Sequence, residues 1–403
     1  MTLLPVSAAR EQVLSSVARV VEDEEIRIEE CAGRTLSRDL HALRDQPPFP
    51  ASSMDGFALG SAGEQPNCYR VIGTSVAGRR FDGTLGPGEA VRIFTGAPVP
   101  PGTERIALQE NTERSGESIL VCDDGGPGRY IRRTGLDFRH GQALLHAGQR
   151  LDARRVGLAA AMGHRSLPVR RQPRIAILAT GDELVLPGEP TGLDQIVASN
   201  PYSVAAIVSR AGGIPVDLGI ARDRLEALEE RIDMAAAADV DILVTLGGAS
   251  VGEHDLVQEA LQRRGMELRF WRVALRPGKP LLHGRVGRIL LLGLPGNPVS
   301  SVVCAILFLV PAIRALVGDP LAGCDPTEPA RLGVSLPAND HREDYLRATL
   351  HRGDDLIATP LAPQDSSMLS ILAASDALLM RPARAPPASV GSPCRIISFD
   401  RYC

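Results

Sequence analysis

Aromatic side chains make up only 3% of this 403-residue chain, too few for the stacked platforms on which single-stranded nucleic acid is held. Positive charge is not in surplus either. With 44 Lys and Arg against 48 Asp and Glu, the net charge is −4, which argues against a generally basic nucleic-acid face. The seven cysteines form no C-x-x-C and no paired spacing, so reduced thiols in the cytoplasm are expected rather than a disulfide framework. No basic stretch followed by an apolar run opens the chain, and no signal peptide is read there. The most apolar stretch, Val299–Val310, is closed by Pro311. At about a dozen residues it is short of the roughly 20 that cross a bilayer, so a buried helix is expected and no membrane partner. The eight histidines show no H-E-x-x-H spacing, no stretch carries a dinucleotide or P-loop fingerprint, and no repeat of fixed period is present.

What remains is a globular composition: 44% hydrophobic, 23% charged, with 40 glycines and 31 prolines. A chain of this length divides into roughly two to four domains. Valines at 6, 13, 17, 20 and 21 recur at near-helical spacing. Between residues 50 and 140, short apolar runs such as Tyr69–Ile72, Ala90–Phe94 and Ser118–Val121 alternate with glycine turns and predict a small β domain. From Pro173 the pattern becomes regular β/α alternation. Strands are expected at Arg174–Ala179, Ile214–Leu218, Asp241–Thr245, Leu268–Ala274 and Arg288–Leu292. Helices are expected at Ser203–Ala211, Arg224–Ala238, His254–Arg264 and Pro298–Leu316. Apolar strands in that alternation imply a parallel, doubly wound sheet. The resulting division is an N-terminal mixed domain of residues 1–45 and 136–172, an inserted β domain of 46–135, a doubly wound domain of 173–320 and a C-terminal β domain of 321–403.

The polar loops of the doubly wound region follow its apolar runs: Thr180–Glu183, Gly247–Asp255, Arg276–Pro280 and Gly293–Ser301. In open α/β sheets, ligands bind at the carboxyl ends of the strands. Glu183, Asp223 and Asp255 each fall just past a strand, where three carboxylates repel one another unless a cation intervenes, so a divalent metal is suggested; the plainer alternative is that the aspartates cap helices. Arg276 and Lys279 put two cations on a stiffened loop suited to an oxyanion, or to a solvated turn. Asn297 as N-cap and Pro298 in the first helical position begin the last helix, with Ser300 and Ser301 in its first turn where free N–H groups hold anions. The whole suits an anionic, phosphate-bearing ligand with a metal ion.

The segment Pro47–Ala58 resembles the signature of the molybdopterin molybdenumtransferases, the MoeA and gephyrin E-domain family. The resemblance continues through Ile93–Pro100, Leu178–Leu184, Ser199–Tyr202 and the loops at Gly247–Asp255, Arg276–Pro280 and Gly293–Ser301. It implies an elongated homodimer of multidomain α/β plus β subunits, each with a MogA-like doubly wound domain. The cleft would lie between that domain and the partner's inserted domain. The implied reaction inserts molybdate into adenylylated molybdopterin with release of AMP, forming molybdenum cofactor with Mg2+ as the metal. Asp55 and Thr95 match functional positions of the inserted domain, while Glu183, Asp223 and Asp255 match the acidic metal cluster. Gly247, Gly248 and Ser250 match the loop cradling the pterin phosphate. Lys279, Ser300, Arg342 and one of Ser366 or Ser367 resemble the molybdate pocket, and Arg276, Pro295, Asn297 and Pro298 stand in the same loops. Arg276 departs from the Lys found in many relatives, and Leu136 from a common acidic residue. A molybdopterin adenylyltransferase and a non-catalytic scaffold are the competing expectations. Partners implied are a separate adenylyltransferase and apo-molybdoenzymes.

Overall fold

The computed structural model describes residues 3–17, 19–123, 126–247 and 256–402. Its central element is a six-stranded sheet in the order Ile214–Ala221, Arg174–Thr180, Ile242–Leu246, Ile289–Leu294, Leu282–Val286, Met266–Trp271. The first four strands run parallel, as the β/α alternation predicts. Leu282–Val286 runs antiparallel to both its neighbours, Ile289–Leu294 and Met266–Trp271, so the sheet is mixed. Val286 pairs directly with Ile289 across a turn whose Gly287 has φ +57°, and a connection that short can join only antiparallel strands. Every residue of Ile242–Leu246 and Ile289–Leu294 is buried, the mark of strands covered on both faces. One face packs on the helices Asn200–Ala211 and Pro298–Cys304, the other on Leu225–Ala237 and Leu256–Arg263.

The last helix of this region runs Pro298–Leu316 as expected, 19 residues that continue through Pro311 and are largely buried, with a π-helical stretch at Ala305–Leu309 between two α-helical ones. Proline lacks an N–H and collides with the carbonyl four residues back; one wider turn just ahead of it absorbs both defects. The helix is long and apolar enough to cross a membrane by composition, but its burial makes it a core helix of the protein.

The helix Val6–Ser15 packs on this same core through Val6, Ala9 and Val13. The chain then forms a separate core in which Asp23–Arg27 pairs with Ser166–Arg170 and Leu40–His41 with Ala143–Leu145. Asp152 caps the helix Ala153–Ala161 by accepting from the N–H of Arg155 at 2.9 Å. Between these pairings lies a second six-stranded sheet containing Gly56–Leu59, Cys68–Ser75 and Glu89–Ile93.

Beyond the long helix, the strands Glu343–Arg352, Leu356–Pro360, Glu328–Leu332, Pro393–Ser398 and Ala377–Arg381 pair in that order, and the last returns to the first. Closure into a five-stranded barrel removes its free edges. Leu275–Arg276 adds alongside Glu343 and Asp344, which ties the Arg276–Pro280 loop to the barrel.

Candidate active site

Within the sheet, Ile214–Ala221 lies on one side of Arg174–Thr180 and Ile242–Leu246 on the other, so the crevice between Thr180 and Leu246 is the switch point of the sheet. A cavity of about 820 Å3 opens there. Glu183, Asp223, Gly247, Pro295, Asn297, Pro298 and Ser367 all line it. Gly247 has φ +98°, and a Cβ on it would stand 2.8 Å from the carbonyl oxygen of Thr180. The two strand ends therefore cross too closely for a side chain at this position.

Two acidic loops form one wall. The N–H of Asp223 donates to Asp182 Oδ1 at 3.2 Å, and Arg222 Nη1 donates to the Asp182 carbonyl at 2.7 Å. This holds Asp223 in an acidic neighbourhood. Its carboxyl is pushed above the ordinary aspartate value, first by burial and then by the charges of Asp182 and Glu183. A carboxylate so placed asks for a proton or a cation. Among the described residues, no group of three or more His, Cys, Asp or Glu is gathered as a metal site. Asp255, the expected third carboxylate, lies outside the described residues, as do Gly248, Ser250 and His254.

The opposite wall is the start of the long helix. Asn297 stands at the N-cap position before Pro298, but its side chain does not cap. It donates instead from Nδ2 to Ser366 Oγ at 2.9 Å, while the N–H of Val299 donates to the Ser366 carbonyl at 3.1 Å. The loop carrying Ser366 and Ser367 is held from below by Arg347, only 1% exposed, whose Nη2 donates to the Asp365 carbonyl at 3.0 Å. Asp365 Oδ1 accepts from both the N–H and the hydroxyl of Ser367, at 2.8 and 2.6 Å. Ser300 is buried in the first turn of the helix.

The two cations of the Arg276–Pro280 loop differ. Arg276 has little left to offer a ligand. It donates from Nε (2.6 Å) and Nη2 to the Asp344 carboxylate, from Nη1 to Asp340 (3.0 Å) and from Nη2 to Asn339 (3.0 Å). Lys279 is the only lysine of the chain, and among the described residues its ammonium has no hydrogen-bond or ion-pair partner. Its neighbour Pro280 lines the cavity. Arg342 shares Asp340 with Arg276, at 3.3 Å, and keeps a buried Nε without a partner. Arg276, Lys279, Ser300, Arg342 and Ser366 are not among the residues lining the cavity, although Pro280, Pro298 and Ser367, their neighbours or near neighbours in the chain, are.

Asp55 and Thr95 are brought to each other but not to this cavity. Thr95 donates to Asp55 Oδ1 from its N–H at 2.7 Å and from its hydroxyl at 2.8 Å. Those bonds hold the Asp55 carboxyl below its ordinary value. Both residues are exposed on the inserted sheet. Asn200 and Ser199, which line the cavity, were not among the expected site residues. Asn200 Nδ2 donates to the Gly296 carbonyl at 2.6 Å, fastening the helix Asn200–Ala211 to the opposite loop. The Asn-Pro pair at its start was the signal available, since proline is at home in a first helical turn.

These features define a class: a multidomain α/β protein whose open sheet carries a polar crevice at its switch point, with a second β sheet and a closed β barrel beside it. Three family models match it, described as "MoeA N-terminal region (domain I and II)" over residues 4–163, "Probable molybdopterin binding domain" over 176–315 and "MoeA C-terminal region (domain IV)" over 329–399. A molybdopterin molybdenumtransferase of Nostoc sp. is 35% identical over 87% of this chain and 83% of its own length. Molybdopterin molybdenumtransferase 2 of Mycobacterium tuberculosis is 33% identical over 96% and 97%. A crystal structure of the molybdopterin biosynthesis MoeA protein of Pyrococcus horikoshii superposes with a TM-score of 0.81 at 28% identity, covering 99% of each chain. The chain belongs to the molybdopterin molybdenumtransferase family.

Proposed function

We propose that this chain inserts molybdate into adenylylated molybdopterin, releasing AMP and yielding molybdenum cofactor. The observation that carries this reading is that one 820 Å3 cavity is lined by two carboxylates, Glu183 and Asp223, by the helix start at Asn297 and Pro298, and by Pro280, the neighbour of the chain's only lysine. The volume suits a ligand larger than a single anion. Glu183 and Asp223, with Asp255, would hold Mg2+; hard oxygen donors and the raised pKa of Asp223 fit such an ion. When bound, it would neutralise charge on the pyrophosphate link that is cleaved.

The chain's own residues divide the remaining work. Gly247, Gly248 and Ser250 let backbone approach the pterin phosphate, and Pro295, Asn297 and Pro298 shape the facing loop. Lys279, Ser300, Arg342 and Ser366 or Ser367 receive molybdate, a dianion that hydroxyls, a helix N-terminus and cations stabilise without stripping it of all polar contact. The partnerless Nε of Arg342 supports this role. Arg276, with all three nitrogens engaged, is a positioning residue that acts through Asp340 and Asp344.

Asp55 and Thr95 reach a cavity of this kind only across a homodimer. Mixing Asp55→Asn with Asp223→Asn chains, each inactive alone, restores part of the activity if the cleft is shared; no recovery removes the shared cleft. A separate adenylyltransferase supplies the substrate and apo-molybdoenzymes accept the product. The cytoplasm is the compartment, and the six described cysteines are all free. The function itself is tested by AMP release from adenylylated molybdopterin with Mg2+. Release should require molybdate and be lost in Asp223→Asn. Release that ignores molybdate would refute insertion.

A further inference from the structure

A second cavity, of about 420 Å3, shares no lining residue with the first. Four separate stretches bring arginines to it: Arg150 and Arg155, Arg210 at the end of the helix Asn200–Ala211, Arg314 on the long helix, and Arg401 near the C-terminus. Only one carboxylate, Asp319, lines it, and that group is taken by Arg314 Nε at 2.7 Å. Arg155 and Arg401 have partners outside the cavity, Asp152 and Glu328, each at 3.0 Å.

Arg150 and Arg210 are different. Among the described residues neither forms an ion pair. Arg150 donates from Nε to the Gly33 carbonyl at 3.1 Å and from Nη2 to the Arg210 carbonyl at 2.7 Å, and Arg210 donates to the Asp400 carbonyl. The bond to the Arg210 carbonyl caps the helix, and the other two tie neighbouring loops together. None of these neutral carbonyls compensates the charge of two guanidiniums that share one concavity with three more. Burial and the nearby charges of Arg314 and Arg210 already lower the pKa of Arg150, the sign of a site short of negative charge.

We propose that this cleft is a binding site for a small phosphate-class dianion, with Arg150 and Arg210 as its principal ligands. Guanidiniums offer planar, paired donors that match tetrahedral oxyanions. The proposal does not depend on the catalytic reading. Arg210 and Ala211 line this cleft while Asn200 and Pro201 line the other, so one helix separates the two sites by about 15 Å.

The test is calorimetric titration of the full chain with inorganic phosphate at low ionic strength. A Lys279→Gln background weakens oxyanion binding at the candidate active site, so that the second site is read separately. There, Arg210→Gln and Arg150→Gln should each weaken phosphate about tenfold, and Arg150→Lys should retain most of the affinity. Arg210→Gln guards against misfolding, since that side chain is exposed and makes a single contact. Phosphate affinity unchanged in both glutamine variants overturns the proposal. So does a loss of self-association in those variants without any change in phosphate binding, because the arginines would then be meeting carboxylates of a second copy.

Discussion

Replacing Arg276 by Lys keeps the charge and removes the geometry. Arg276 makes four hydrogen bonds to Asp344, Asp340 and Asn339, and Asp344 is only 5% exposed. A lysine ammonium can keep one or two of them. Each bond to a charged group is worth about 1.5–3 kcal/mol when its partner is left unsatisfied. The arginine side chain is 43% exposed, and water will repair part of that loss. The net cost is about 2 kcal/mol. For a cooperative unit of 150–250 residues, each kcal/mol moves Tm by roughly 2–4 °C, so a fall of about 4–8 °C is expected. Differential scanning calorimetry reads it directly. The freed Asp340 will also draw on Arg342, its other partner, and the KM for molybdate should rise with kcat less affected. A Tm within about 1 °C of wild type would refute the clamp.

Other consequences follow from the same geometry. Because the Asp223 carboxyl is raised in the folded chain, the folded state holds that proton more tightly than the unfolded state. Its ionisation therefore costs stability as pH climbs above the ordinary aspartate value and through the raised one. Asp223→Asn should leave urea stability at pH 7 equal or higher while abolishing activity; a clear destabilisation would contradict the shift. Wild-type Mg2+ affinity, followed by calorimetry, should fall with acidification at a pH above that of a free aspartate. Gly278 has φ +119°, and a Cβ there would lie 2.7 Å from Cys304 Sγ. Gly278→Ala should thus destabilise by roughly 1–3 kcal/mol and displace the Lys279 loop, seen as a lower denaturation midpoint together with a higher molybdate KM. Since Lys279 is the only lysine, an amine-reactive reagent can modify only it and the chain's α-amino group. Molybdate should protect the Lys279 peptide in mass spectrometry, and equal labelling with and without molybdate would remove Lys279 from the pocket.

The sequence made the doubly wound sheet legible because its strands are short apolar runs bounded by glycine, and the carboxylates and proline loops sit just past them. The hairpin that makes the sheet mixed was hidden by His283. That residue is wholly buried in the strand Leu282–Val286, its Nδ1 on the Leu291 carbonyl at 3.0 Å and its Nε2 on Ser16 Oγ at 2.9 Å. A buried polar residue breaks the apolar pattern by which a covered strand is recognised. The helix Pro298–Leu316 was legible through Pro311, but the π-helical stretch that accommodates the proline was not, because it has no sequence signature of its own. Asn297 read as a cap because its type and position fit, but its side chain is spent on Ser366 across 69 residues. Arg276 and Lys279 looked alike in the sequence. Only the pairing of Arg276 with residues 64 and 68 positions away separates a structural cation from one without a partner.

The account's central claim is that metal is transferred, and the product tests that most directly. The chain, adenylylated molybdopterin, Mg2+ and molybdate would be incubated and the mixture given to an apo-molybdoenzyme whose activity is then measured. Activity should appear only with molybdate and disappear with Asp223→Asn or Lys279→Gln. AMP released without any activation of the apo-enzyme would contradict insertion and leave this chain a hydrolase of the adenylylated pterin.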